Sequence, residues 1–445
     1  MKYFKPNSLR KNLFDSIDQI SLNKASYVKN PTDYSRTRKL SFETMIKSIL
    51  QISGSSINNE LLSFFNCSST TPTAAAFVQQ RSKILPTAFE DLFKSFTDSS
   101  NPNATYKNYR VLAIDGSDLH VPTNPDDKDS FFPRINDQRP YNLLHLNALY
   151  DVCSKIYVDT IIQKSRNSNE NQALIDMIDR NSEDIDTLII ADRGYESYNA
   201  LAHIQEKGWN FLFRVKDANS SGGIANGLTL PQNDEYDIFI DLHLSAGRTK
   251  EHWELYKDKN TYKRISHPEN FDYFITTAGE RDVLMFYHLP FRILKIKLSE
   301  DTYETILTNL PVEKFPLSEI KKLYSMRWGI ETSFRDLKYP LGLLNFHARK
   351  TELIYQEIYA HLLLYNFVSL IIRSHKLEIL TRKHDYKSSF SVAIHVSRLF
   401  IKKKISSRTI TNLLSKYLTP IRPNRNAIRR KKKDRSVMSF NYRLS

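Results

Sequence analysis

Residues 324–338 read Y-S-M-R-W-G-I-E-T-S-F-R-D-L-K, from Tyr324 to Lys338. On a helix each residue turns about 100°, so offsets of 3, 7 and 14 return to nearly one direction. From Tyr324 those offsets select Arg327, Glu331 and Lys338. The four share a stripe about 60° wide on ideal helix geometry. Leu323, Ile330, Phe334 and Leu337 form an apolar stripe beside it. The spacing predicts one helix that buries its apolar side. It would aim a carboxylate, flanked by two cations and a phenol, into a cleft. A surface amphipathic helix with a few ion pairs has the same pattern.

Working outward, 445 residues suffice for two or three domains with sizeable cores. The apolar fraction is that of a folded chain. A formal charge of +15 points to a polyanionic partner, nucleic acid or an anionic membrane surface. No apolar run has spanning length. Ile358 to Ile372, the nearest, is short and holds His361, Asn366 and Ser369, which predicts a buried core helix. The start, M-K-Y-F-K-P-N, lacks the apolar core of a signal peptide. Cys67 and Cys153 alone make neither a disulfide framework nor a zinc site, and fit a reducing cytosol. No phosphate-cradling glycine loop is present, which disfavours nucleotide-powered chemistry.

Residues 1–105 read as a helical domain and a candidate for DNA binding. Its helices are expected over Leu9–Ile20, Phe42–Phe65, Ala74–Ser82 and Thr87–Phe96, and residues 97–104 read as a linker. The last two helices suit plain packing slightly better than a DNA-reading pair. Residues 106–216 change pattern. Tyr109–Asp115 is an apolar strand ending on an acid and a glycine. Leu144–Val152 and Ile156–Gln163 follow as strands, then a helix over Asn169–Arg180. Asp186–Asp192 is a second buried strand ending in an acid, before a helix over Glu196–Lys207 and a strand over Asn210–Val215. This α/β order is that of a ribonuclease-H-like catalytic core. Residues 217–310 break the alternation and read as a β-rich insertion. Residues 311–375 return to the core with the glutamate helix. Residues 376–445 are a basic helical region and tail, with Lys402–Lys404 and Arg429–Lys433 as its charge runs.

Acids at the ends of neighbouring strands are held rigidly and converge, and like charges so placed call for a cation. Oxygen ligands suit Mg²⁺, with Mn²⁺ as a substitute. Asp115, Asp192 and Glu331 are therefore the candidate metal ligands and catalytic residues. Two ions about 3.5–4 Å apart can activate water or a 3′-hydroxyl and stabilise the departing oxygen. Each aspartate taken singly is more often a turn or cap residue.

These motifs resemble the insertion-sequence DDE transposases that carry a Tyr-x₂-Arg-x₃-Glu-x₆-Lys (YREK) signature. Tyr324, Arg327, Glu331 and Lys338 match that spacing without a gap. Asp115 in A-I-D-G-S and Asp192 in I-I-A-D-R-G-Y match the two aspartate motifs. The 139 positions from Asp192 to Glu331 leave room for the family's β insertion. The resemblance spans roughly residues 40–375 and is weak at both ends. It implies a Mg²⁺-dependent enzyme that cuts at the ends of its element, at terminal inverted repeats in double-stranded DNA. The freed 3′ ends are then joined to target DNA. It also implies paired protomers in a synaptic complex, in a bacterial cytoplasm and on the nucleoid when DNA-bound.

The resemblance makes Tyr324, Arg327 and Lys338 contacts to phosphates near the cut. Ion pairing along the helix, for instance of Arg335 with Asp336 or Glu331, is the lesser alternative for Arg327 and Lys338. Arg214 and Lys216, in F-R-V-K, alternate outward together as DNA contacts or as a solvated strand edge. Trp328 suits base stacking, though its direction favours the core. Trp253 has no assignable role. Two rivals remain: a nuclease on the same core without strand transfer, and a non-cutting DNA-binding protein derived from a transposase.

Overall fold

The computed structural model describes residues 3–36, 38–134, 139–182, 185–274, 286–299, 302–375 and 385–421. The basic run Arg429–Lys433 lies outside them. The chain opens with α1 (Pro6–Leu22), α2 (Phe42–Gln51), α3 (Ile57–Phe64), α4 (Ala74–Arg81) and α5 (Thr87–Ser100). Ser41, Ser56 and Thr73 cap α2, α3 and α4 with their side chains. The stretch Phe42–Phe65 is thus two helices, split where Ser53-Gly-Ser-Ser56 offers a new cap. Half of the expected linker is helical, because Thr97 and Ser100 are buried on the inner side of α5.

Next come β1 (Arg110–Val121), β2 (Phe131–Phe132), β3 (Tyr141–Asp151), β4 (Ile156–Lys164), α6 (Glu170–Asp179), β5 (Thr187–Ala191), α7 (Tyr198–Glu206) and β6 (Asn210–Val215). β7 (Tyr236–Ser245), α8 (Lys250–Leu255), β8 (Tyr262–Arg264), β9 (Tyr287–Ser299) and β10 (Thr302–Thr308) follow. The chain continues through α9 (Leu317–Ser325), α10 (Trp328–Lys338), α11 (Thr351–Ser374), β11 (Tyr386–Ser388), α12 (Phe390–Ile401), α13 (Ser407–Lys416) and β12 (Leu418–Pro420).

The fold is mixed α/β around one large sheet. Its order is β2-β3-β1-β5-β6-β10-β9-β7-β8, with β4 also on β3. β1, β3 and β4 are antiparallel neighbours, whereas β5 and β6 run parallel to β1. The strands after residue 217 extend this same sheet, since β10 pairs with β6 and β9 with β10.

Strand alternation sorts the core into two layers. Val111, Ala113, Leu188, Ile190 and Leu212 face the layer built by α1, α2, α5 and α9–α12. Leu112, Ile114, Ile189, Ala191, Phe211 and Phe213 face α6 and α7.

α11 is the spine of the first layer. It is buried on nearly every side, as expected for a helix that is apolar all round. Several of its buried polar residues tie it to its neighbours. Asn366 accepts from the Tyr157 amide at 2.8 Å and donates to the Tyr157 carbonyl at 2.7 Å, tying α11 to β4. Ser369 donates to the Lys155 carbonyl, and His361 to that of Glu357. No described helix is long and apolar enough to cross a membrane.

A buried ion pair locks the N-terminal helices to this spine. Arg81 on α4 donates to Glu357 at 2.8 Å, to Gln356 at 2.9 Å and to the Leu353 carbonyl at 2.6 Å. Both charges are out of water. Removing one partner strands the other, so Glu357→Ala is expected to cost about 3–5 kcal/mol. Urea denaturation of the two proteins measures it, and a loss below about 1 kcal/mol would contradict the role given to the pair.

Candidate active site

Strand parity builds the site. Asp115 follows Val111 and Ala113 on β1, and Asp192 follows Leu188 and Ile190 beyond β5. Both carboxylates therefore belong to the sheet face that α10 covers. The parallel register pairs Ala113 with Ile190, so one further two-residue step brings Asp115 level with Asp192. Asp115 is not at a strand end, as its sequence suggests, because β1 runs on to Val121 against β3. What ends near Asp115 is the pairing with β5, and that opens the edge between the two acids.

The third acid arrives on α10. The stretch 324–338 is not one helix. α9 stops at Ser325 and α10 begins at Trp328, with tight turns from Met326 to Leu323 and from Arg327 to Tyr324 between them. The apolar stripe is buried as expected: Leu323, Ile330, Phe334 and Leu337 all lie in the first core layer. α10 then runs along β1. Seven helical residues from Glu331 to Lys338 span about 10 Å. The three strand residues from Asp115 to Asp118 span much the same. Lys338 reaches the Asp118 carbonyl at 2.7 Å.

Arg327 touches Glu331 and lies near both aspartates, although the three carboxylates are not gathered within 4.8 Å of one another. Its guanidinium donates to Glu331 at 2.8 Å, and its charge acts on Asp115 and on Asp192. It is only 3% exposed. Burial works against that charge, but Tyr324, Asp192 and Glu331 outweigh it and raise the guanidinium's pKa. The residue nearest to an ion pair along the helix is thus Arg327, rather than Arg335.

The two aspartates differ. Burial pushes the Asp115 carboxyl up to about 6, helped by the charges of Glu331 and Glu170 and opposed by the Gly116 amide and Arg327. Burial also acts on Asp192, but Arg214 overrides it and holds its carboxyl below the usual range. Arg214 grips Asp192 with two hydrogen bonds, at 2.5 and 2.8 Å, and reaches Glu304 at 2.8 Å. That fork makes Arg214 a brace for Asp192 in the free protein, while Lys216 stays exposed.

Tyr324 is 5% exposed, and burial raises its phenol to about 12. Trp328 departs from the core placement its direction favoured. It is 52% exposed, with the Arg327 guanidinium 5.0 Å from its ring. The break before α10 turns its first residue outward. Trp253 is also half exposed, beneath Arg264.

Three neighbours escape sequence reasoning. His145 on β3 lies between Asp118, at 2.8 Å, and Glu170, at 2.9 Å. These carboxylates overcome burial and raise the imidazole to about 9. The assembly crowds Gly116 from below, where a Cβ would run into the His145 ring and the Glu170 carboxylate. The only advance sign was the glycine directly after Asp115. Charged residues three strands and a helix apart in sequence carry no common spacing.

The donor set facing the cleft is all carboxylate oxygen, which fits a hard divalent cation better than a soft one. Residues 106–367, more than half the chain, match the transposase DDE domain, and the chain belongs to that family. Within curated proteins it is 27% identical over 263 residues to the transposase for insertion sequence element IS231C of Bacillus thuringiensis subsp. berliner, covering 53% of each chain. It is 22% identical over 302 residues to transposase InsG for insertion sequence element IS4 of Escherichia coli strain K12, covering 66% of this chain and 60% of that one. The chain thus spans about half the length of the IS231C relative. A cryo-EM structure of a piggyBac transposase synaptic complex with hairpin DNA aligns over 94% of this chain and 86% of that one. Its TM-score is 0.45 at 11% identity, too slight a likeness to carry an argument.

The Asp115 shift has a sign that can be tested. Its folded pKa, about 6, lies above the unfolded value of about 3.9. The folded protein holds the extra proton between those limits, so stability falls as pH rises through them. In chelator, Asp115→Asn is expected to show a shallower fall from about pH 4 to pH 7 and to be up to roughly 2–3 kcal/mol more stable at pH 7. Thermal melts across that range check it, and parallel curves for the two proteins would refute it.

Proposed function

We propose that the chain is a DNA transposase of the YREK group, with a ribonuclease-H-like core over residues 106–216 and 311–375. Residues 217–310 are its β-rich insertion, residues 1–105 its helical N-terminal domain and residues 376–445 its basic C-terminal region. One observation carries this reading. Three carboxylates from β1, the end of β5 and α10 act on a common guanidinium on one sheet face.

Asp115, Asp192 and Glu331 would hold two Mg²⁺ ions. When bound, such ions lower the pKa of an attacking water or 3′-hydroxyl and stabilise the departing oxygen. The remaining residues orient the strand. Tyr324 Oη and Arg327 Nε are buried and have no hydrogen-bond partner among the described residues. A phosphate of the cleaved strand would satisfy both, with charge assistance from Arg327. Lys338 adds a cation at the Asp118 end of the cleft, and Lys216 lies exposed beyond Asp192. Arg214 serves the reaction through Asp192, which it keeps ionised. Trp328, exposed beside Arg327, offers a stacking surface for an unpaired base.

The substrate in this reading is double-stranded DNA with terminal inverted repeats, followed by a target duplex. Two protomers, each holding one end, would form the synaptic complex in a bacterial cytoplasm, on the nucleoid when bound to DNA.

Asp192→Ala and Glu331→Gln are each expected to reduce Mg²⁺-dependent cleavage of end-containing DNA to background while retaining DNA binding. Full cleavage by either would sink the assignment. A pre-cut end offered with a second duplex should be joined covalently. Cutting without joining would mark a nuclease, and neither reaction would mark a non-cutting DNA-binding protein. Lys338→Ala should weaken binding evenly across sequences and lower the salt dependence of the affinity by about one phosphate contact. An unchanged salt slope would remove Lys338 from the phosphate track.

A further inference from the structure

A second cluster of metal-ligating side chains lies well away from the three acids. Asp241 and His243 stand two residues apart on β7, so both point to one face. His288 on β9 is directly opposite His243 in the antiparallel register. One ligand atom from each of the three lies within 4.8 Å of the others. The His288 Nε2 already contacts the Asp241 carboxylate, and the two imidazoles are 4.9 Å apart between ring centres. Asp241 and His288 are exposed to incoming ions, while His243 is half-buried. His243 Nδ1 is buried and has no hydrogen-bond partner among the described residues.

The position is separate from the catalytic centre. Five inter-strand steps part β7 from β1, about 24 Å at ordinary spacing. The register also carries the level of Asp192 across β6, β10 and β9 to Asp237, so Asp241 and His243 stand four and six residues further along β7.

We propose that Asp241, His243 and His288 bind a divalent transition-metal ion, with Zn²⁺ as the best match. Two imidazoles and one carboxylate form a borderline N₂O set, which suits Zn²⁺ and disfavours Mg²⁺. Three protein ligands leave one position of a tetrahedral ion for water or an outside ligand. The ion draws its ligands from two adjacent strands and so acts as a clasp between β7 and β9. This assignment is independent of the reading of the three acids, which use oxygen donors alone.

The test uses the full chain, stripped with chelator and titrated with Zn²⁺ in millimolar Mg²⁺, which occupies all-oxygen sites. One Zn²⁺ per chain is expected. His243→Ala and His288→Gln should each weaken it by more than the about 100-fold that losing an outer-shell partner costs. Asp115→Ala should leave it intact. Co²⁺ in place of Zn²⁺ should give visible ligand-field bands that disappear in both histidine variants. Circular dichroism verifies folding, and His288→Gln, an exposed and conservative change, decides the matter where His243→Ala misfolds. The proposal falls if no Mg²⁺-resistant Zn²⁺ site exists. It falls equally if Zn²⁺ binding survives in His288→Gln, or is lost in Asp115→Ala.

Discussion

Asp115, Asp192 and Glu331 share one face of a sheet, where Glu331 raises the pKa of Asp115, and much of the structure around them supplies positive charge. Arg327 touches Glu331, Arg214 forks onto Asp192, and Lys338 lies at the far end of α10. The offset is unequal. Asp192 has its own guanidinium and stays ionised, whereas Asp115 has burial and two like charges against it and holds its proton up to about pH 6. Asp115 is therefore the acid on which an arriving cation has the largest effect.

Rigidity comes from the layer behind. α10 can present Glu331 to β1 only because Ile330, Phe334 and Leu337 are buried against the first core layer, whose spine is α11. α11 is in turn fastened to β4 by Asn366 and to the N-terminal helices by Arg81 and Glu357. The charged apparatus thus rests on polar ties inside an apolar layer. Each tie is satisfied on both sides, which is the condition for a buried polar group to add order rather than cost.

The strands after residue 217 belong to the same sheet as the acids, because β10 pairs with β6 and carries Glu304 to Arg214. The region that looks like an interruption along the chain thereby reaches the candidate site through hydrogen bonds. Its outer strands, β7 and β9, carry a histidine pair of a different chemical character.

The sequence alone determined the order of β1, β3, β4, α6, β5, α7 and β6 and the burial of α11, and it singled out the three acids as candidates. It could do so because these rest on short-range signals: apolar runs, periods of 2 and 3.6, and motif spacing. Only tertiary structure decided the rest. The break between α9 and α10 turned Trp328 outward. β3 carried β1 on past Asp115. Arg214 was given to Asp192, and His145 to Asp118 and Glu170. Each of these depends on groups far apart along the chain, and no local pattern encodes the distance between side chains that meet only when a sheet assembles.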